Sequence, residues 1–433
     1  MLSALFLLVR KLMLSKQFLL NRGTDMKILL IAIPLLALAA SAQAMDMSDV
    51  EIHGFASQGY IKSTSENNFP VSNSGRGSFN FNDFAVNFSK EVTPGLRVGL
   101  QLLAMDRGSY GKDKITLDWA YGDYRINDWL GFRAGKIKMP LGLYNESRDN
   151  DALRTFIFLP ENEYYDYERD SVNATTGVGV YGSVSLGKAG TANYQVQVGT
   201  TPIPVDGASA RNYSAYVSTV EAPLVVTDID SRTTVVHHLE WRAPLEGLRS
   251  TFSGLHTSFR GTAAGIFTDP VTAETTPVTA DWKFDSLHRY IFGLEYILKD
   301  LVLAAEYQMD DYTVTADYKN PVLENFTSKQ ASDGWYVSAA YRLTDWFELG
   351  GYYSEIYADR HNRNGSTFEE IGVGAPWQTW QKEKVLSLRF DPVRNLVLKV
   401  EGHLVDGTWN MSEYTDASKK DWFLIATKAT VSF

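Results

Sequence analysis

The sequence predicts an all-β fold, a 16-stranded antiparallel transmembrane β-barrel, and three observations carry that prediction. Apolar and polar side chains alternate with a period of two through most of the chain, sixteen segments show this pattern, and the links between them alternate short and long. Composition agrees. The 433 residues are 44% hydrophobic, 21% charged and 13% aromatic, with 33 Gly but only 14 Pro, which fits neither a disordered chain nor a helical membrane protein. The absence of cysteine excludes a disulfide framework, thiolate metal sites and a cysteine nucleophile, and suits transit through an oxidising compartment. The formal charge of −10 argues against nucleic acid as a partner.

The first 44 residues are set apart from the fold. Lys27 precedes an apolar run from Ile28 to Ala40, followed by Ala42-Gln43-Ala44, the small-x-small pattern of a secretory signal cleaved after Ala44. A membrane anchor is the competing reading, but spanning takes about 18–20 apolar residues. The signal at 26–44 is complete in itself, so 1–25 reads as an over-extended start or an unusual n-region, and 45–433 as one barrel domain.

Candidate strands lie at 50–63, 77–90, 95–106, 113–126, 129–138, 174–187, 191–200, 231–243, 248–260, 286–299, 301–313, 332–343, 346–358, 380–391, 395–407 and 420–433. Each can cross a membrane at a tilt, for which about 9–11 residues suffice. Turn chemistry at Thr93-Pro94-Gly95, Asn127-Asp128, Lys188-Ala189-Gly190, Pro244–Gly247, Lys299-Asp300, Thr344-Asp345 and Pro392–Arg394 makes the short links. The long links are 64–76, 107–112, 139–173, 201–230, 261–285, 314–331, 359–379 and 408–419. Long loops gathered at one end, with an even strand number, are the pattern of outer-membrane barrels.

The alternation also predicts which face is wet. In 395–407 one parity reads Leu396, Leu398, Val400, Gly402, Leu404 and the other Val397, Lys399, Glu401, His403, Val405. Sixteen strands enclose too wide a space for side chains to fill, so the polar parity should line water and the apolar parity should meet lipid. Trp129, Phe132, Tyr290, Trp346, Phe347 and Trp422 near strand ends are candidates for aromatic girdles at the two interfaces, although aromatics favour strands in general.

At this point the chain resembles the Gram-negative outer-membrane porins, distantly the phosphate-selective group. The resemblance is carried by Glu51-Ile52-His53-Gly54-Phe55, by Leu117-Asp118-Trp119-Ala120-Tyr121 and by Phe132-Arg133-Ala134-Gly135-Lys136-Ile137-Lys138-Met139-Pro140-Leu141-Gly142. The final alternating strand ending on Phe433 looks like the terminal signature that the barrel assembly machinery recognises. The resemblance implies passive diffusion of small hydrophilic solutes or ions through a water-filled channel in the cell outer membrane, surrounded by membrane lipid and lipopolysaccharide. It also implies a homotrimer, and neither a cofactor nor catalysis.

In porins of this layout the third long loop folds inward. Here that loop is 139–173, with Glu146, Arg148, Asp149, Asp151, Arg154, Glu161, Glu163, Asp166, Glu168, Arg169 and Asp170 as constriction candidates, and a solvated surface loop as the alternative. Parity nominates pore-wall residues: Arg97, Gln101, Asp123, Arg125, Arg133, Glu240, Arg242, Glu295, Glu306, Arg342, Arg389, Lys399 and Glu401. For Arg97, Arg125, Arg242 and Arg342 a place on the rim is equally open. Lys136 and Lys138 share parity with Phe132, so either a bulge turns them inward or they snorkel.

Other patterns carry less. Gly177–Gly182 satisfies G-x-G-x-x-G but lies within a strand with no following helix. His237 and His238 should face opposite ways, a poor metal pair. Asp149-Asn150-Asp151 and Asp310-Asp311 lack the spacing of a calcium loop. The rival readings are a barrel enzyme of lipase or protease type, for which His256 and Ser258 are the nearest approach to a catalytic pair, and a plugged structural or adhesive barrel.

Overall fold

A computed structural model describes residues 49–65, 71, 74–409 and 419–433. Ala42 and Ala44, the expected cleavage residues, lie outside the described residues. The strands are β1 (Glu51–Ser63), β2 (Asn82–Thr93), β3 (Leu96–Asp106), β4 (Thr116–Asn127), β5 (Leu130–Lys138), β6 (Ala174–Ser185), β7 (Thr191–Thr200), β8 (Leu224–Ser231) and β9 (Thr234–Arg242). They continue as β10 (Leu248–Thr268), β11 (Thr275–Leu298), β12 (Leu301–Tyr318), β13 (Phe326–Thr344), β14 (Phe347–Tyr357), β15 (Trp380–Val393), β16 (Leu396–Gly407) and β17 (Asp421–Ser432).

Every neighbouring pair is antiparallel, and β1 pairs with β2 on one side and β17 on the other, so the sheet closes. Gly54 and Phe433 exchange both backbone hydrogen bonds at 3.0 Å at this seam. A side chain at Gly54 would stand 2.5 Å from the Phe433 ring and 2.6 Å from the Ala85 carbonyl, which is why the position is bare. β8 and β9 are two lengths of one stave, since both pair with β10, β9 along Arg249–His256 and β8 along Phe259–Gly265. The closed wall therefore has sixteen staves, as the alternation predicts.

Three long loops are corrected. The stretch 201–230 holds the helix Ala208–Val217 and, from Leu224, strand β8. In place of 261–285 and 314–331, β10 runs on to Thr268, β11 starts at Thr275, β12 reaches Tyr318 and β13 starts at Phe326, leaving turns at 269–274 and 319–325. The Gly, Thr, Pro and Asp content of these stretches suggests turns, but Val278, Ala280, Trp282 and Phe284 alternate, and all four are buried. Here the apolar parity faces inward. It is covered by a helix, Ala208–Val217, whose Tyr213 and Val217 pack in the same cluster with Val314, Ala316 and Tyr318. An inner face that meets another element instead of water can be apolar, and that partner lies elsewhere in the chain.

Lower on the wall the expected sense holds. In β16, Leu398, Val400 and Leu404 are exposed while Lys399, Glu401 and His403 are buried inside. In β17, Phe423, Ile425 and Val431 face out and Trp422, Leu424, Ala426, Lys428 and Thr430 face in. Trp422 is thereby removed from the girdle: it is buried and donates its indole N–H to the Gly407 carbonyl at 3.1 Å. Trp129 and Trp346 remain exposed, the latter stacked on Phe390.

Candidate functional site

The interior of the barrel is crossed by residues 139–173, the longest connection, which leaves β5 and returns to β6. A loop can hold a course across a cavity only where its backbone polar groups find partners on the wall. They do, on many staves. Gly142 N–H donates to Ser253 Oγ on β10 at 3.0 Å, and Leu143 N–H donates to Glu306 on β12 at 2.7 Å. Ile157 and Phe158 N–H groups donate to the Glu401 carboxylate on β16 at 2.7 and 3.1 Å. Lys399 donates to the Asp151 carbonyl at 2.6 Å and to its carboxylate at 3.1 Å, and Arg389 donates to the Arg154 carbonyl at 2.8 Å.

The loop acids and bases are placed as follows. Arg148 donates to the Tyr164 carbonyl at 2.7 Å and to Asp166 at 3.2 Å. Arg154 donates to the carbonyls of Phe156 and Ile157 at 3.1 and 2.9 Å. Asp149 is held by Lys138 and by Arg169 at 2.7 Å, and Arg169 also reaches Asp118 at 2.7 Å. Asp151 accepts from Thr430 Oγ1 at 2.8 Å as well as from Lys399. Glu168 pairs with Arg289 at 2.6 Å, Glu161 accepts from the Asp166 N–H at 3.2 Å, and Asp170 accepts from the Ala208 N–H at 3.0 Å. Glu146 lies 4.0 Å from Arg133 and accepts from Gln195 at 3.4 Å. Glu163 is buried, with one carboxyl oxygen lacking a hydrogen-bond partner among the described residues.

These surroundings split the carboxyl groups of the loop. Burial raises the Asp149 carboxyl, but Arg169 and Lys138 outweigh it and hold the group far below the aspartate range. Asp151 is likewise held down to about 2, burial being overcome by Lys399 and Lys428. Glu161 and Glu163 go the other way. Burial pushes both well above the glutamate range, and neighbouring Asp166 and Glu306, respectively, push them further.

Of the wall residues, Gln101 donates to Asp118 at 3.0 Å, and Arg133 binds Asp123 at 2.8 Å. Glu295 accepts from Tyr144 at 2.8 Å and from Arg249 at 2.7 Å; Arg249 also reaches Glu240 at 3.0 Å. Glu306 collects the Tyr164 and Tyr336 hydroxyls at 2.6 and 2.7 Å. Arg97 and Arg125 are rim residues: Arg97 pairs with Glu51 at the start of β1, and Arg125 with Asp128 in the turn. Arg242 binds Glu240 at 2.6 Å and Arg342 binds Glu348 at 2.6 Å and Asp391 at 2.8 Å, all at the short-turn end. Lys138 is an interior residue, 3.1 Å from Asp118. Lys136 is half-buried and donates to the Leu117 carbonyl at 2.6 Å, with Gly135 at φ +133° just before it. Inward turning thus describes Lys138.

Where the loop faces β2, β3 and β17, a gap of about 40 Å³ remains. The wall lines it with Asp83, Arg107 and Lys428 and the loop with Arg148, Arg154 and Asp166. Arg107 and Lys428 both bind Asp83 at 2.6 Å and lie over the Phe81 ring at 5.1 and 5.0 Å. Below the loop, toward the short turns, lies a cavity of about 420 Å³ lined by Glu146, Asn193, Gln195, Glu240 and Arg249 among others. Asp83, Arg107 and Lys428 were not among the candidates. Lys428 shares parity with Trp422, Leu424 and Thr430, the face opposite the apolar one, and that signal was present in the sequence.

The discounted patterns gain no support as pairs. His237 and His238 do face opposite ways: His238 contacts Ser253 at 2.8 Å, and His237 stacks on His256. His256 meets His288 at 2.7 Å, while Ser258 accepts from the Ser286 N–H at 3.2 Å. No cluster of three metal-ligating side chains occurs among the described residues.

No family model matches the chain, and no curated protein matches it in sequence. Solved structures do. The chain is similar to OmpF of Salmonella typhi with TM-score 0.54 and 12% identity over 89% of this chain and 97% of that one. It is similar to the outer membrane channel DcaP of Acinetobacter baumannii with TM-score 0.52 and 12% identity over 90% and 100%. An anion-selective porin of Comamonas acidovorans gives 0.50 and 9% over 89% and 99%. At such identities the likeness is one of fold: the sixteen-stave antiparallel barrel of outer-membrane porins.

Proposed function

We propose that the protein is a passive channel of the outer membrane for small hydrophilic solutes or ions, with residues 139–173 as its constriction. The observation that carries the reading is the charged gap of about 40 Å³ between that loop and Asp83, Arg107 and Lys428, inside a wall whose outer face is apolar. A wall of this kind has its low-energy place in hydrocarbon, because closure pairs the backbone of neighbouring staves around the ring. A water molecule needs about 10–15 Å³ of such space, so the gap holds water or a small ion as it stands, and larger solutes require the loop to give way. Facing groups of opposite sign set a field across the path, and pore radius with wall charge does the filtering without a cofactor. Assembly as a homotrimer and delivery through Phe433 belong to this reading on the strength of the resemblance.

Single-channel recording in planar bilayers tests it. Stepwise currents with a conductance that scales with salt are expected. A purified, folded barrel that stays silent would overturn the channel and leave the structural or enzymatic barrel.

A further inference from the structure

The wall is uneven in height. β4, β5, β6 and β7 have 12, 9, 12 and 10 residues, whereas β10 to β13 have 21, 24, 18 and 19. At about 3.3 Å per residue and a tilt of about 45°, the short staves rise about 21–28 Å, the height of an apolar band of about 25 Å. β7 pairs with β9 only up to Gly199 and Thr234, and above that point β8 pairs with β10 alone. Among the described residues, the other edge of β8 meets no strand. The wall thus has a notch at the level of the outer interface.

The notch is hollow. A cavity of about 830 Å³ lies between residues 109–116, the helix Ala208–Val217 and β8, whose Leu224 and Val226 N–H groups donate to Ser218 and Ser214 Oγ at 2.8 and 3.0 Å. Its lining is largely apolar, with Met105, Tyr110, Val205, Ala215, Leu224 and Val225. Val225 is on the outward parity of β8 and 65% exposed, so the cavity opens through the wall, and Ile115 and Leu117 flank the opening with exposed apolar side chains. The charged lining is four bases, Lys112, Lys114, Arg169 and Arg211, against two acids, Asp170 and Asp206; Arg169 is paired with Asp149 and Asp118, and Asp170 accepts from the Ala208 N–H. Lys114 is paired with Asp206 at 2.7 Å, but Lys112 and Arg211 form no ion pair among the described residues.

We propose that this notch binds a lipid of the outer leaflet through an acidic headgroup, with Lys112 and Arg211 on the headgroup and an acyl chain against Val205, Ala215, Leu224 and Val225. The apolar chamber of ligand size, its outward mouth, its height and its unpaired bases fit one amphiphile. A soluble anion would leave the apolar lining wet, and a neutral lipid would leave the bases unpaired. The proposal is independent of conduction.

Native mass spectrometry of the full chain in detergent tests it, with dimyristoylphosphatidylglycerol, dimyristoylphosphatidylcholine of the same chain length, and inorganic phosphate as probes. The expected result is a phosphatidylglycerol adduct favoured over phosphatidylcholine by about tenfold, the scale of one charge-assisted contact. It should be lost in the Lys112→Ala/Arg211→Ala double variant and in Ala215→Trp, which fills the chamber. A heat-modifiable gel shift shows that each variant is folded. Equal binding of both lipids, equal binding of phosphate alone, an adduct indifferent to both variants, or no adduct because a second copy occupies the notch would each overturn the proposal.

Discussion

Lys399 on β16 and Asp151 in the inner loop are joined twice, through the Asp151 carbonyl at 2.6 Å and its carboxylate at 3.1 Å, although 248 positions separate them in sequence. Both side chains are almost fully removed from solvent, at 0% and 1% exposure. Unmaking one partner of such a buried pair costs about 3–5 kcal/mol, because the other charge is left uncompensated. Lys399→Met should therefore release this end of the loop without opening the barrel. Single-channel records are expected to show a larger and noisier open level, with the folded-barrel gel shift retained. An unchanged conductance would show that the loop is held elsewhere.

Arg107 and Lys428 face the gap from the wall, whereas Arg148 and Arg154 are committed to loop carbonyls. The two pairs should behave differently. Arg107→Gln with Lys428→Gln is expected to move the reversal potential under a salt gradient toward cation preference. Arg148→Ala with Arg154→Ala should chiefly alter conductance. The first effect should shrink between 0.1 and 1 M salt, as the screening length falls from about 10 to about 3 Å.

Glu161 and Glu163 have folded-state affinities for protons raised above the ordinary value of 4.5, burial being the first cause. A raised carboxyl contributes stability that is fully present below 4.5 and is lost as pH rises through the folded value. Loop docking should weaken toward alkaline pH, read as increasing open-channel noise. Glu163→Gln should remove part of that dependence while leaving the acid side as it was.

Asp151 supplies the opposite limb. Its carboxyl is lowered from 3.8 to about 2, so its contribution is complete above about pH 4 and disappears as pH falls through about 2. Asp151→Asn should already show at neutral pH the noisier open level that the parent channel shows only in strong acid.

The seam between β1 and β17 depends on Gly54. A Cβ there would lie 2.5 Å from the Phe433 ring at the seam and 2.6 Å from the Ala85 carbonyl of neighbouring β2, which is backbone and cannot move aside. Gly54→Val is expected to sharply reduce the yield of heat-modifiable barrel, whereas Gly122→Ala, where nothing lies within 4 Å, should leave it unchanged.

How much of this was legible varies along the chain. Strand β16 could be read completely, because parity is a property of neighbours: Leu398 and Val400 had to take one side and Lys399 and Glu401 the other. At Trp422 the place near a strand end pointed to the girdle, whereas parity, shared with Leu424, Lys428 and Thr430, already put it on the inner face; closeness to a strand end does not decide which face an aromatic takes. Parity itself failed between Gly261 and Asp285, where the inner face is apolar because a helix from residues 208–217 covers it.

The sequence by itself determined the sixteen staves, their closure into a tube and, outside 261–285, the sense of its wall, since these follow from local alternation, link length and the demands of hydrocarbon on the backbone. Only the tertiary structure decided that residues 139–173 lie against β10 to β17, that Lys428 and Arg107 share Asp83, and that the wall is notched beside β8. Those facts join residues far apart in the chain. They exist only once the ring has closed and set each stave at its own height and angle around the axis.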